Sequence, residues 1–458
     1  MDSPKTVVHA LHDQATRRQY RPALWIRRGR AYVPTSWHEY AVRVRRFALG
    51  LRALGFRAGS TLALLAFNRE EWVVADVAAL ALGGVTVGLS PSSTPEQVRA
   101  ILAHCEAEVV VVDGQHLATV RALRAGLPRL RHLILLETPA TASLDEGTLL
   151  LVDVLARGAS VDEGPYWDAV NALRPEGLAT LIYGSEATGT PRAVMLSHHN
   201  LVWAAERLRG ALELHGEDEA LLSSLPLGAM PEQLLSLHGA LLSGVQVYFA
   251  GSPESVLDDL REARPTLFFA MPGLWARLEA RLEQELREQA PAAQRVVAWA
   301  RGVASERHAR ALRHERTPLH LEAQYQLAQR TVFQSLRQKL GLERAHFLSA
   351  PAPMHREVLD FFASLDMVLR ELHGPAEVSG LLSLNTHEAT HLGSVGRPVV
   401  GLEVRIAEGG EILVRGGGAC QGYFKDAEAT AASRHDGWLR TGSAGQLDAE
   451  GFLHLKKG

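Results

Sequence analysis

Residues 178–200, LATLIYGSEATGTPRAVMLSHHN, gather more groups able to do chemistry than any other stretch of this 458-residue chain. A short apolar strand leads into a run of Gly, Ser and Thr, and a second apolar strand leads out of it to Ser-His-His-Asn. Small residues in such a run let backbone N–H groups come close to phosphate oxygens, and the hydroxyls add further donors. The spacing Gly184-x4-Gly189 is that of a Walker loop, but Thr190-Pro191-Arg192 follows where a Walker loop needs Lys and then Ser or Thr opening a helix. A polar hairpin loop without a ligand is the plainer alternative. His198 and His199 are not expected to share a metal, because neighbours on a strand face opposite ways. A second pattern, His387-Glu388-Ala389-Thr390-His391, fits HExxH, which on a helix sets two imidazoles on one face with Glu as the base of a zinc peptidase. Its flanks leave too little room for a long helix and no third ligand follows in register, so the peptidase is the remote alternative.

These groups must be held by a chain too long for one ordinary core, so two or three packed units are expected. A net charge of −3 argues against a nucleic-acid partner. Cys105 and Cys420 are too few for a disulfide framework, which together with an N-terminus lacking a signal-peptide core points to the cytoplasm. The most apolar stretch, Val77–Leu89, is 13 residues long and broken by Gly83-Gly84. It is too short to span a bilayer, and reads as a buried helix followed by a buried strand. Membrane contact is expected to be peripheral at most, and the sequence does not specify an oligomer.

Ser36-Trp37-His38-Glu39 is a capping box, and Tyr40, Val44, Phe47, Leu51 and Leu54 continue one helical face to Gly55. Leu62–Leu65 reads as a strand, Thr94–Gln97 caps a helix with Pro in its first turn, and Val109–Val112 and Leu133–Leu136 are further strands. This alternation indicates a parallel sheet covered by helices, and it repeats from Leu178 to Phe269. Ala276–Arg316 is charged, Ala-rich and helical, with Pro291 as its break. From about Val395 the texture changes to short strands and turns: Leu402–Ile406, Glu411–Val414, Trp438–Thr441 and Phe452–Leu455. The expected fold is α/β: a first α/β subdomain over 1–170, a second with the phosphate loop and a helical insertion over 171–370, and a small β-barrel-like subdomain over 371–458.

The segment 183–200 resembles the phosphate loop of the acyl-adenylate-forming (AMP-binding) superfamily, YTSGTTGxPKG followed by SHxN. Later segments extend the likeness in the superfamily's order. Leu225-Pro226-Leu227 with Glu232 is similar to LPLxHxxER, and Ser255–Leu278 resembles the long-chain fatty-acid branch. SAPAPM at 349–354, LHGPAEVSG at 372–380, GSVGRP at 393–398, EILVRGGGACQG at 411–422 and GWLRTG at 437–442 complete the series. The resemblance implies ATP-dependent activation of a long-chain fatty acid to acyl-AMP, en route to acyl-CoA. It implies Ser185, Thr188 and the Gly189 backbone on the phosphates, Arg192 as the phosphate cation, and Glu377 as ligand of Mg²⁺. Ala350, Pro351, His373 and Gly374 would lie at the adenine, Ser443 at the ribose, and Trp275 along the acyl tunnel. Nucleotide and fatty acid are then the partners. CoA would be used only if a C-terminal domain is supplied, because the chain stops at Leu455-Lys456-Lys457-Gly458, where the superfamily's hinge and mobile domain begin.

Several positions depart from the pattern. Glu186 and Ala187 replace Gly and Thr of the loop, Arg192 replaces Lys, Ala229 replaces His, Ala376 replaces Thr, and Ser443 replaces the Asp that accepts from both ribose hydroxyls. A carboxylate 4 Å from a phosphate charge costs about 4 kcal/mol per pair near a protein surface. These changes leave open a second reading, a catalytically degenerate member that binds nucleotide or acyl groups without turnover.

Overall fold

The computed structural model describes residues 4–29, 31–137, 147–184, 191–216, 218–313 and 315–456. Ser185, Glu186, Ala187, Thr188, Gly189 and Lys457 lie outside the described residues.

Short runs of Val and Leu between turn residues form strands buried on both faces. Thr61–Leu65, Val85–Gly88 and Val109–Val112 are buried at every position, as parallel strands under helices on both sides must be. They form the centre of a sheet that among the described residues has eight strands. Its order is Gly422–Tyr423, Ala193–Ser197, Leu178–Tyr183, Val85–Gly88, Thr61–Leu65, Val109–Val112, His132–Leu135, Thr148–Leu150. The pairs from Leu178–Tyr183 onward are parallel, and the two before it are antiparallel. A second sheet, of nine described strands, runs Arg397–Pro398, Ser383–Leu384, Leu369–His373, Phe347–Ala350, Leu267–Phe269, Ala220–Ser223, Gln246–Phe249, Pro22–Arg28, Ala31–Ser36. Its middle is parallel, and its first two pairs and its last pair are antiparallel. A third, wholly antiparallel sheet of five described strands joins Leu402–Ile406, Glu411–Gly416, Trp438–Leu447, Arg434–His435 and Leu453–Leu455. The expected α/β class, with two doubly wound sheets and a smaller β part, is what the chain forms.

Sheet membership crosses the expected 170/171 division in both directions. Pro22–Arg28 and Ala31–Ser36 complete the nine-stranded sheet, while Leu178–Tyr183 and Ala193–Ser197 belong to the eight-stranded one. The second crossing is held by Thr180, whose buried hydroxyl donates to the Thr86 carbonyl at 3.0 Å. Repetition of a βα texture gives the layer type, and does not say which sheet a given strand joins.

Helix Glu70–Ala81 packs on Thr61–Leu65 and Val85–Gly88 of one sheet and on Pro22–Arg28 of the other. That position requires an apolar surface all round, and every residue from Trp72 to Ala81 is buried. Gly83, at φ +70°, turns the chain into Val85–Gly88, so the apolar stretch Val77–Leu89 is helix end and strand as expected. Among the described residues no helix is long and apolar enough to cross a membrane.

This helix carries one costly group. Asp76 is 1% exposed, and burial pushes its carboxyl up to about 7. Its folded value lies above the unfolded one, so the folded state keeps a proton that the unfolded state releases, and stability falls as pH rises from about 4 to about 7. Asp76→Asn is therefore expected to stabilise by about 4 kcal/mol near pH ~8 and to have almost no effect near pH ~4. Urea unfolding at both pH values checks this; a pH-independent difference would contradict it.

Candidate active site

Some of the implied site residues fall where parallel strands end, whereas Ser443 is inside an antiparallel strand and Trp275 inside a helix. In sequence, residues 185–190 come shortly after Leu178–Tyr183; Ala350 and Pro351 close Phe347–Ala350, and His373 and Gly374 close Leu369–His373. In doubly wound sheets the crevice outside the carboxyl ends of the strands is where ligands bind. Segments that follow other strands of the two sheets meet at a cavity of about 180 Å³ lined by Phe67, Asn68, Ser223, Leu225, Pro226 and Val256, among others. Asn68 bridges them, donating to Ser223 Oγ at 2.8 Å and accepting from Leu227 N at 3.1 Å.

The residues on either side of 185–190 are set by an antiparallel pair of strands. Tyr183 pairs with Ala193, and the antiparallel ladder continues to Leu178 and Ser197. Ser197 then caps helix His198–Ala211 in a capping box with Asn200, the pair bonded in both directions. The strand expected to run to Asn200 thus ends at Ser197, and the two histidines open a helix rather than close a strand. Neighbours on a helix also diverge, and they differ in fate. His198 is buried and its imidazole is pulled down to about 4 by burial, whereas His199 is exposed. Asn200 donates to the carbonyls of Gly417 and Ala419 at 2.9 and 3.1 Å. Trp203, one turn on, lies so close over Gly417 and Gly418 that a Cβ on either would meet the indole at 2.5 Å. Helix and strand pair therefore fix the glycine run 416–418, and with it the strand Gly422–Tyr423 that pairs with Val194 and Met195.

That pairing assembles a chain of three groups. The Arg192 guanidinium sits over the Tyr423 ring, 5.1 Å from its centroid, with Asp426 Oδ2 at 3.8 Å from Nε. Tyr423 donates its hydroxyl to Glu377 Oε1 at 3.0 Å, and burial with the adjacent Glu377 charge holds the phenol well above its ordinary value. Arg192 is 62% exposed and Glu377 half-buried, so both charges are accessible to solvent. Glu377 rides on the short turn Ala376–Val378, which is locked by its neighbours. Gly374 touches Gly380 so closely that a Cβ would lie 2.1 Å from its carbonyl, the Cys420 amide donates to the Glu377 carbonyl at 2.8 Å, and Ser379, at φ +58°, donates its hydroxyl to Gly418. Tyr423 was missed by sequence reasoning, which stopped at Gly422; only the strand pairing reveals that it links the cation to the carboxylate.

A second pair joins the expected adenine and ribose positions. His373 Nε2 and Ser443 Oγ share a hydrogen bond of 3.1 Å, and burial lowers the imidazole to about 4, so it is neutral at ordinary pH. Pro351 is partly exposed, while Ala350 is wholly buried in the apolar cluster that also holds Trp275. Trp275 itself is fully buried: its indole N–H donates to the Ser349 carbonyl at 3.1 Å, and its ring stands edge-on to Phe268 and Phe362. In this conformation its side chain is core. Glu232 is likewise inside, accepting from Ser223 and Ser236, with burial raising it to about 7. The HExxH run is not helical; His387 packs on His346 and Phe347 while His391 packs on Phe452 and His454, so the peptidase geometry is absent.

Residues 11–424 match the family model described as AMP-binding enzyme. The chain belongs to the AMP-binding enzyme family. It is 29% identical to the long-chain-fatty-acid–CoA ligase ACSBG2 of Gallus gallus, over 99% of this chain and 61% of that protein. It is 33% identical to the long-chain-fatty-acid–CoA ligase FadD15 of Mycobacterium tuberculosis, over 91% of this chain and 68% of that one. An inhibitor-bound N-terminal domain of FACL13 from Mycobacterium tuberculosis has the same fold at 19% identity, with a TM-score of 0.75 and 99% of both chains covered. The chain thus spans about three-fifths of the length of the first of these relatives.

Seen as an AMP-binding site, the donor set fits a hard cation better than it fits a ribose. Among the described residues the Glu377 carboxylate has one oxygen bonded to Tyr423 and a second oxygen with no partner, and carboxylate oxygen suits Mg²⁺. At Ser443, where the resemblance implies the ribose, the single hydroxyl already shares a hydrogen bond with His373. Ser443→Asp is accordingly expected to tighten Mg-ATP binding by about tenfold or more, since a hydrogen bond to a charged acceptor adds about 1.5–3 kcal/mol. Calorimetric titration of parent and variant decides it; equal affinity would mean that residue 443 does not meet the nucleotide.

Proposed function

We propose that the chain binds Mg-ATP and a long-chain fatty acid at the carboxyl ends of its parallel strands and joins them as acyl-AMP, with release of pyrophosphate. The observation that carries this reading is the Arg192–Tyr423–Glu377 chain beside the strand pair that flanks residues 185–190. Attack of a carboxylate on an α-phosphate is mostly a matter of position and charge neutralisation. Arg192 would place positive charge at the departing phosphates, and its seat on the Tyr423 face restricts the orientations of its planar head. Glu377, oriented by the Tyr423 hydroxyl, would hold the Mg²⁺, which when bound neutralises phosphate charge. Ser185, Thr188 and the Gly189 backbone would donate to the phosphates from the loop. Neutral His373 would offer a flat face to the adenine beside Pro351 and Gly374, and Trp275 would border the acyl path only if it leaves the packing described above. Transfer of the acyl group to CoA would draw on a C-terminal domain of the family's kind.

A degenerate, binding-only role is favoured by one specific observation: the His373–Ser443 bond satisfies two groups that the reaction would turn toward nucleotide. Titration with Mg-ATP, then with a non-hydrolysable palmitoyl-AMP mimic, separates the readings from having no site at all. Micromolar binding of either supports an adenylate site, and no binding of either would overturn both.

A further inference from the structure

His391, left over from the HExxH pattern, meets Asp448 and His454, which arrive from the far end of the chain. We propose that His391, Asp448 and His454 form a binding site for a zinc-type divalent transition-metal ion, apart from the nucleotide site.

The argument is one of donor type, spacing and anchoring. Two imidazoles and one carboxylate are an N₂O set of the kind that borderline metals take, with water completing the shell. One ligand atom from each residue lies within 4.8 Å of the others. His454 Nε2 is 2.9 Å from Asp448 Oδ2, and His391 Nδ1 is 3.5 Å from the same oxygen. Metal–donor bonds of about 2.0–2.1 Å in a tetrahedron set donor atoms about 3.3 Å apart, so each imidazole is within tenths of an ångström of the required spacing from Asp448, and the two imidazole nitrogens, within 4.8 Å of each other, close the rest by side-chain rotation. The carboxylate is already aimed: its other oxygen, Oδ1, accepts from the amides of Glu450 and Phe452 at 3.0 and 2.9 Å. The backbone of His391 is tied as well, its amide donating to Asn385 Oδ1 at 2.9 Å. Such outer bonds orient ligands before metal arrives. The three side chains are 44%, 27% and 27% exposed, open enough for entry, and His391 borders a cavity of about 430 Å³ with room for solvent ligands. Arg397 stacks on Phe452 next to the site, so the Asp448 charge is what makes the spot acceptable to a cation.

The ligands join two parts of the fold. His391 is on the connection 385–396 at the rim of the nine-stranded sheet, and Asp448 and His454 flank the hairpin into Leu453–Leu455, which pairs with the strand bearing Ser443. Val395 and Leu453 already bond through their backbones at 2.8 Å, and a bound metal would staple the same junction.

The test is titration of the full chain with Zn²⁺ against a chromophoric chelator, with Co²⁺ absorption as a report on coordination. One equivalent is expected to bind and to raise the melting temperature, and to slow hydrogen exchange at 448–455. His391→Ala and His454→Ala should each weaken binding by more than about 100-fold, the upper end of what outer-shell changes cost. Their melting temperatures in chelator should match the parent's, which separates lost ligation from lost folding. His387→Ala, which removes a ring packed on His346 and Phe347 and outside the triad, should bind as the parent does. Retention of the bound equivalent by both ligand variants would overturn the site and place the ion on others of the chain's 20 histidines. So would absence of stoichiometric binding by the parent.

Discussion

Glu377→Gln is expected to lower fatty-acid-dependent exchange between ATP and pyrophosphate by about 100- to 1,000-fold, the range for removal of one charge-stabilising group from an active site. Glutamine keeps the oxygen that accepts from Tyr423, so the turn 376–378 and its ties to Gly380 and Cys420 should survive. Unfolding free energy should therefore change by less than about 0.5 kcal/mol. The loss comes from the negative charge that would hold Mg²⁺, and raising Mg²⁺ should recover part of it. Tyr423→Phe provides the internal comparison. It leaves the charge but frees the carboxylate from its only described side-chain donor, which predicts a loss of about tenfold or more, as for one hydrogen bond to a charged group. Full exchange activity in Glu377→Gln would reduce Glu377 to a structural partner of Tyr423 and remove the main support for the proposed chemistry.

Trp275→Ala is expected to destabilise the chain by about 3–5 kcal/mol, the usual cost of emptying a buried Trp site. The indole has no exposed surface, it sits between Phe268 and Phe362, and its N–H satisfies the Ser349 carbonyl. The variant leaves a void and removes one of the two donors to the Ser349 carbonyl, which keeps the Ala270 amide at 3.0 Å, whereas Trp275→Phe keeps most of the packing and should cost less. Denaturant unfolding of both, read beside the chain-length preference of any exchange activity, tests the assignment. An altered preference without loss of stability would move Trp275 from the core to the acyl path.

How far the sequence led depended on whether a feature was local. Caps at Ser36 and Thr94, and runs such as Val109–Val112, declare themselves within a few residues, and the described helices and strands bear them out, whereas the capping box at Ser197 was misread as the end of a strand. Sheet membership was not legible. Nothing near Leu178 says that its strand will pair with Val85–Gly88, because parallel pairing is a contact between distant segments. Candidate site residues could be named as motif positions, and the structure sets Tyr423 between Arg192 and Glu377 and bonds His373 to Ser443. Tyr423 and the metal triad were illegible for one reason. Each depends on a turn or ladder that folds back over tens or hundreds of residues, whereas HExxH suggested a helix that its own short, strand-bounded context denies. The neutral state of His373 was equally hidden, since it follows from burial rather than residue type.

The central claim is that this fold still makes acyl-AMP, and one measurement addresses it directly. Stoichiometric protein is mixed with palmitate and Mg-ATP, quenched, and analysed by mass spectrometry for palmitoyl-AMP alongside released pyrophosphate. The account predicts palmitoyl-AMP and pyrophosphate in equal amounts, dependent on fatty acid and nearly abolished in Glu377→Gln. No palmitoyl-AMP from protein that demonstrably binds Mg-ATP would contradict it, and would leave a chain that holds nucleotide without turning it over.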